Sequence, residues 1–358
     1  MIQTNSKITF PCGKTMPNRF MLAPLTNRQS LENGQATDTE IKWLTMRAEG
    51  GFGIVMTCAA HVQKAGKGFP GQLGIFSDDL IEGHKKITKN IKQHGSLAII
   101  QLHHAGMRSP IELLEDRPVS ASDDKETNSR GLSLKEVEQL RDDFISAAVR
   151  SKKCGYDGVQ IHGAHGYIIT QFLSAEINKR TDKYGGILEN RACLLFEIVD
   201  GIRQECGKDF LICIRLSPER FGMDIDEIKT IAQRLIDGGN IDCLDFSLWD
   251  CFKYPEEEKY QEKTLLEHFK ELNFKKVKWT VAGKIYTAED VHKVLKAGVD
   301  FVTIGKSAIL HHDFPKLVMN NPNFTPIQLP VSKEHLQKEG LGNTFIQYLN
   351  NRWEGFVK

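Results

Sequence analysis

Residues 192–216 read ACLLFEIVDGIRQECGKDFLICIRL and contain one copy of the unit that decides the fold. Apolar residues recur at helical spacing over Ala192–Glu205, and Gly207 follows, as glycine often does after a helix. Phe210–Leu216 then forms an almost continuous apolar run of strand length. A strand this uniformly apolar is buried on both faces, which is typical of a parallel sheet covered by helices.

Seven further apolar runs of strand length repeat this rhythm. They are Phe20–Leu25, Gly53–Ala59, Leu97–Leu102, Gly158–Gly163, Cys243–Leu248, Trp279–Gly283 and Phe301–Gly305. Helical spacing follows most clearly at Leu134–Lys153, Ile225–Asp237 and Ala288–Ala297. Eight strand–helix units predict an α/β fold, the (β/α)8 TIM barrel. A doubly wound sheet is the alternative, but it would need a G-x-G-x-x-G turn after the first strand, where this chain has no glycine.

Three segments lie outside the strand–helix rhythm. Ser6–Phe20, with Cys12-Gly13-Lys14 at its centre, predicts a small N-terminal hairpin that closes the bottom of the barrel. Ser109–Arg130 and Trp249–Gln261 are predicted to shape the pocket, because long loops in a compact domain are usually functional. The sequence has no linker or low-complexity tract, so residues 1–358 are predicted to form one domain.

The charge and cysteine content limit the classes of partner. The 358 residues include 47 Lys and Arg against 46 Asp and Glu, a net charge of +1, which gives no basic surface for nucleic acid. No apolar run reaches 18 residues and the N-terminus lacks a signal-peptide pattern, so no membrane partner is predicted. Eight cysteines without a C-x-x-C pair favour reduced thiols and a cytoplasmic protein. The choice between a monomer and a homodimer stays open.

The fourth apolar run ends in a turn that carries two histidines and a tyrosine. Residues 162–167 read HGAHGY and follow this strand at its carboxyl end, where the active site of a TIM barrel lies. Two neutral imidazoles can donate N–H bonds to a carbonyl or phenolate oxygen, and a tyrosine beside them can donate a proton. We therefore predict His162, His165 and Tyr167 as catalytic residues. No third ligand accompanies the histidines, so no metal site is predicted.

The last two apolar runs each end in a glycine followed by a lysine. These pairs are Gly283-Lys284 and Gly305-Lys306. Glycine lets backbone N–H groups approach a phosphate, and this is the usual phosphate corner of a TIM barrel. The alternative is that the glycines only permit tight turns. The pairing of both glycines with lysine favours a phosphate site.

Four motifs together carry a resemblance to a known family. They are NRFMLAPLT at Asn18–Thr26, QLHHAG at Gln101–Gly106, IHGAHGY at Ile161–Tyr167, and NKRTDKYGGILENR at Asn178–Arg191. With these motifs the chain resembles the Old Yellow Enzyme family of FMN-dependent NAD(P)H oxidoreductases, the ene-reductases. The resemblance extends over nearly the whole chain. It implies a single FMN-binding TIM-barrel domain over residues 1–358, with NADH or NADPH as reductant.

The resemblance also implies roles for named residues. Ala23, Pro24 and Thr26 would line the redox edge of FMN, while Ala59 and Gln101 would meet its pyrimidine side. Arg215 would lie near N1 and O2. The alternative is a salt bridge with a neighbouring acid, but the position of Arg215 at the end of its strand argues against that pairing. Gly283, Lys284, Gly305 and Lys306 would hold the phosphate. His162 and His165 would bind the carbonyl oxygen of a small enone-type substrate, flavin N5 would deliver hydride to its β-carbon, and Tyr167 would protonate the α-carbon.

Several residues depart from the pattern that the resemblance implies, Lys306 and Thr26 among them, and two other functions remain open. Lys306 stands where the family usually has arginine, and Thr26 stands where one bacterial branch has cysteine. The first alternative is a phosphate-binding aldolase or isomerase, which would need a buried catalytic lysine or a strand-end glutamate. The second is a flavin-binding protein without turnover. The physiological substrate and the preference between NADH and NADPH are not encoded in these motifs.

Overall fold

The computed structural model describes residues 3–358 and contains twelve strands and twelve α-helices in that range. The strands are β1 (Ile8–Thr9), β2 (Thr15–Met16), β3 (Phe20–Leu22), β4 (Ile54–His61), β5 (Leu97–His103), β6 (Val119–Ser120), β7 (Arg130–Gly131), β8 (Gly158–Gly163), β9 (Leu211–Leu216), β10 (Cys243–Ser247), β11 (Lys278–Ala282) and β12 (Phe301–Ile304). The helices are α1 (Asp38–Glu49), α2 (Ile81–Lys92), α3 (Leu134–Lys153), α4 (Ile168–Leu173), α5 (Leu188–Cys206), α6 (Ile225–Gly238), α7 (Leu265–Lys270), α8 (Ala288–Lys296), α9 (Lys306–Leu310), α10 (Phe314–Asn320), α11 (Lys333–Lys338) and α12 (Asn343–Arg352).

Eight parallel strands close into a barrel in the order β3-β4-β5-β8-β9-β10-β11-β12. The barrel closes where β12 pairs with β3, with Val302 opposite Phe20 and Ile304 opposite Leu22. At least one helix follows each barrel strand, so the predicted (β/α)8 TIM barrel is confirmed.

Most predicted element bounds agree with the structure, and the differences have local causes. The first strand ends at Leu22 and not at Leu25, because Ala23 makes the last ladder bond, to the Ile304 carbonyl, and Pro24 has no N–H to donate. Helix α5 begins at Leu188, before the predicted Ala192. Its first turn is mostly polar and includes Arg191, a buried residue that pairs with Glu227, so apolar spacing did not reveal it.

The N-terminal hairpin of β1 and β2 closes the bottom of the barrel, as predicted. Its turn is made possible by Gly13, whose φ is 85°, a value that favours glycine. Ile8, Phe10 and Met16 are buried against side chains inside the amino-terminal half of the barrel. The Cys12 N–H donates to Asp242 Oδ1 at 2.7 Å, which fixes the hairpin to the start of β10.

The helices bury apolar faces against the outside of the barrel. Helix α3 begins at a capping box formed by Ser133 and Glu136, as its sequence predicts, and buries Val137, Leu140 and Phe144. None of the helices within residues 3–358 is long and apolar enough to cross a bilayer.

Candidate active site

A cavity of about 450 Å³ opens at the carboxyl ends of the barrel strands. This volume lies in the range of small-molecule sites. Every site residue predicted from the sequence lines it: Ala23, Pro24, Thr26, Ala59, Gln101, His162, His165, Tyr167, Arg215, Gly283, Lys284, Gly305 and Lys306. The structure therefore brings all the predicted residues to one place.

The turn after β8 brings three aromatic rings together. His165 has a φ of 63°, which is rare for a residue other than glycine, and its N–H donates to Ser217 Oγ at 3.0 Å. The turn places the His162 and His165 rings 5.0 Å apart and nearly perpendicular, with the Tyr167 ring 5.0 Å from His162. Two imidazoles and a phenol thus meet at one end of the cavity.

These imidazoles are neutral at physiological pH. Burial, with smaller effects from His165 and His103, holds the pKa of His162 well below its usual value. Burial, followed by the positive charges of Arg215 and Arg108, lowers the pKa of His165 to about 3. Burial raises the pKa of Tyr167, so the phenol keeps its proton. The three groups are therefore N–H and O–H donors and not charged groups.

Hydrogen bonds show which atoms are available to a ligand. His162 Nδ1 accepts from the Ala164 N–H at 3.4 Å, which leaves Nε2 as the protonated nitrogen. His165 Nε2 and Ser247 Oγ are hydrogen-bonded at 2.7 Å, so Nδ1 is the other ring nitrogen available. The Tyr167 hydroxyl makes no hydrogen bond to any of residues 3–358. The phenol is free to serve a bound molecule.

A chain of buried polar groups runs beneath the cavity floor. Gln101 Nε2 donates to Gln160 Oε1 at 2.7 Å, and Gln160 Nε2 donates to Asp245 Oδ2 at 3.0 Å. Asp245 in turn lies 3.4 Å from Arg215 Nη1, so Arg215 does have an acidic neighbour. The Arg215 Nη2 donates to Ser247 Oγ, but its buried Nε has no partner among the described residues. An unpartnered buried donor is costly unless a ligand accepts from it.

The two glycine–lysine pairs differ in surroundings. A Cβ on Gly283 would lie 2.8 Å from the Asp250 backbone nitrogen, so only glycine fits there. A Cβ on Gly305 would meet no atom of the protein closer than 3.6 Å, which leaves room beside it. Lys284 is exposed and pairs with Asp250 at 3.0 Å. Lys306 has no carboxylate partner within residues 3–358, and burial lowers its pKa, so it is the lysine that an anion would satisfy.

Several residues of the cavity wall were not predicted from the sequence. They are Phe69, Arg108, Phe221, Phe345, Tyr348, Leu349 and Trp353. The last four come from α12 and the residue after it, which follow no barrel strand and carry no motif. Arg108 lies only five residues beyond β5, so its position near a strand end could have predicted it as a cavity residue.

The two loops predicted to shape the pocket behave differently. Trp249 lines the cavity and is 48% exposed, and its ring centroid lies 5.9 Å from that of His165. No residue of Ser109–Arg130, all of which are described, lines this cavity. That prediction is wrong, because residues of the insertion border a separate cavity, together with Glu32 and Lys64.

The chain is similar to known flavin oxidoreductases. The model of the NADH:flavin oxidoreductase / NADH oxidase family matches residues 8–323. A probable NADH-dependent flavin oxidoreductase of Bacillus subtilis is 34% identical over 313 residues, 84% of each chain. An NADH:acrylate oxidoreductase of Vibrio harveyi is 29% identical over 353 residues, 94% of this chain but 35% of that protein. The structure of an old yellow enzyme homologue from Zymomonas mobilis has a TM-score of 0.80 at 27% identity, covering 96% of this chain and 99% of the homologue.

Proposed function

Because the chain belongs to the NADH:flavin oxidoreductase / NADH oxidase family, we propose that it reduces the C=C bond of α,β-unsaturated carbonyl compounds. As a member of this family, the chain is an FMN-dependent NAD(P)H oxidoreductase, so the alternative of an aldolase or isomerase is excluded. We base the substrate class on one arrangement: neutral His162 and His165 lie beside the hydroxyl of Tyr167, which makes no hydrogen bond to the described residues.

The residues of the cavity fit FMN. Within residues 3–358 the buried Nε of Arg215 has no hydrogen-bond partner and Lys306 has no carboxylate partner, and the space beside Gly305 is open. We propose that Lys306 and the two glycine turns hold the phosphate, with Lys284 at the edge because Asp250 already pairs with it. Arg215 and Gln101, joined through the buried polar chain, would face the pyrimidine end, with Ala59 beside them. Ala23, Pro24 and Thr26 would line the opposite, redox edge.

The chemistry that bound FMN supplies is transfer of a hydride from NAD(P)H to the β-carbon of the alkene, in two successive half-reactions. His162 and His165 hold the carbonyl oxygen of the substrate and stabilise the negative charge that develops there. Tyr167 then gives its proton to the α-carbon. A neutral imidazole pair suits this task, because it donates hydrogen bonds without competing as an acid.

We also propose that residues 1–358 act as one FMN-binding domain. The residues that line the cavity range in sequence from Ala23 to Trp353, so nearly the whole described chain contributes to the site. Its partner is a small molecule with an activated alkene.

The purified protein is expected to be yellow. Heat should release FMN and not FAD, because the lysine corner suits a single terminal phosphate. In anaerobic buffer NADPH or NADH should bleach the colour, and 2-cyclohexenone should restore it. Protein that stays colourless after addition of FMN would contradict the cofactor. Protein that bleaches but does not recover colour with any enone would contradict the substrate class.

Removal of either histidine should weaken the binding of small phenols. The phenolate oxygen loses one N–H donor, which costs about 1–3 kcal/mol, or about 5- to 150-fold in Kd. The measurement is a spectral titration of His162→Ala and His165→Ala with 4-substituted phenols. His94→Ala is the matched control, because His94 is exposed at the opposite end of the barrel. Unchanged Kd values in the two cavity variants would show that the histidines do not bind the oxygen.

A further inference from the structure

The charges that line the cavity are of one sign. No aspartate or glutamate of the described residues lines it, whereas four cations do: Arg108, Arg215, Lys284 and Lys306. Arg215 is paired with Asp245 and Lys284 with Asp250. The other two cations, Arg108 and Lys306, therefore have no carboxylate partner in the described part of the chain. If Lys306 takes the cofactor phosphate, Arg108 remains without an assigned anion.

Arg108 lies on the substrate side of the cavity. Its Nη1 donates to the carbonyl oxygen of His165, within the catalytic turn. Its guanidinium carbon lies 5.1 Å from the centre of the Tyr167 ring and 5.5 Å from that of Phe221. These contacts hold a positive charge next to the proposed proton donor, and the residue itself is exposed to solvent.

Most of the donor capacity of Arg108 is unused. A guanidinium carries five N–H donors. Within residues 3–358 the guanidinium of Arg108 makes only one hydrogen bond, the one to the His165 carbonyl. Arginine is the residue best suited to grip a carboxylate, because two of its donors match the two carboxylate oxygens. The flat faces of Tyr167 and Phe221 already restrict the orientation of the side chain, so little freedom is lost when it binds.

We propose that Arg108 binds a carboxylate of the alkene substrate, and that the preferred substrates are activated alkenes carrying a carboxylate as a second group. This rests on the proposed function, since it places the activating carbonyl on His162 and His165. The carboxylate would then reach the cavity mouth, where Arg108 lies. A half-ester of a 2-ene-dioic acid has this chemistry. Its reduction consumes one NADH and one proton and yields the saturated half-ester and NAD⁺.

The test compares two substrates that differ in one charge, monomethyl fumarate and dimethyl fumarate. The quantity measured is the ratio of their kcat/KM values in the FMN-loaded enzyme. In Arg108→Gln the ratio should fall about 10- to 100-fold relative to the parent, the effect of a charge-assisted hydrogen bond. Arg108→Lys should recover part of it. Arg220→Gln is the matched control, since Arg220 also stacks near the mouth, over Trp249, but is paired with Glu256.

Each outcome is decisive. A fall of the ratio in Arg108→Gln alone, with partial recovery in Arg108→Lys, supports the proposal. An unchanged ratio overturns it. An unchanged ratio together with a raised KM for NADH would show that Arg108 serves the phosphates of the nucleotide instead. If the parent reduces the half-ester and the diester at no measurable rate although NADH bleaches it, the proposed alkene reduction fails and this proposal falls with it.

Discussion

Replacement of Tyr167 by phenylalanine is expected to slow the reduction of 2-cyclohexenone by about 10²–10⁴-fold, the usual loss when a positioned general acid is removed. The substitution keeps the ring that packs 5.0 Å from His162 and 4.4 Å from His103, so the cavity should keep its shape. Bleaching by NAD(P)H needs no proton from the phenol and should keep nearly its parent rate. Return of the colour with oxygen or a quinone should also change little.

A stopped-flow comparison of these three rates distinguishes the protonation step from hydride transfer. Tyr348→Phe is the matched control, because Tyr348 lines the same cavity but lies on α12 and not on the turn that carries the histidines. An unchanged rate with the enone would show that Tyr167 only lines the cavity and that water or another group supplies the proton. A parallel fall of all three rates would mean that the cofactor site itself is disturbed.

Replacement of Lys306 by alanine is expected to weaken the binding of FMN by about 10- to 150-fold, since a charge-assisted hydrogen bond contributes about 1.5–3 kcal/mol. Lys306 is half-buried and has no carboxylate partner among the described residues, so its full charge is available to a phosphate. Lys306→Arg should bind FMN at least as tightly as the parent, because guanidinium matches phosphate with two donors.

Lys284→Ala provides the contrast, because Lys284 is exposed and paired with Asp250, and its loss should weaken binding much less. The measurement is the Kd of FMN for protein stripped of cofactor and then reloaded. Equal affinity in the parent and in all three variants would place the phosphate elsewhere.

The strand ends could be predicted from the sequence because a parallel barrel sends all its carboxyl ends to one face. A residue just after an apolar run, such as His165 or Lys306, must then border the same cavity. The ion pair between Arg215 and Asp245 could not be predicted from strand ends. Both residues lie within apolar runs of neighbouring strands, and only their register in the barrel brings them together.

The part of the cavity wall that α12 forms could not be predicted from the sequence, for a different reason. Phe345, Tyr348 and Trp353 follow no strand, and their helix reaches the cavity through packing between distant parts of the chain, such as the contact of Phe345 with Trp43. The position of the insertion Ser109–Arg130 was predicted wrongly, because the length of a loop indicates that it is functional but not which cavity it borders.

The N-terminal hairpin constrains the order in which the protein can fold. Its anchor, the bond from Cys12 to Asp242, joins residues 230 positions apart, and the barrel itself closes between its first and last strands. Contacts this distant in sequence form late and make folding slow. The first strand, and with it the loop that holds Pro24 and Thr26, cannot take its final place before β12 has formed. We therefore expect the cofactor to be captured at the end of folding, so that the yellow colour would report a completed barrel.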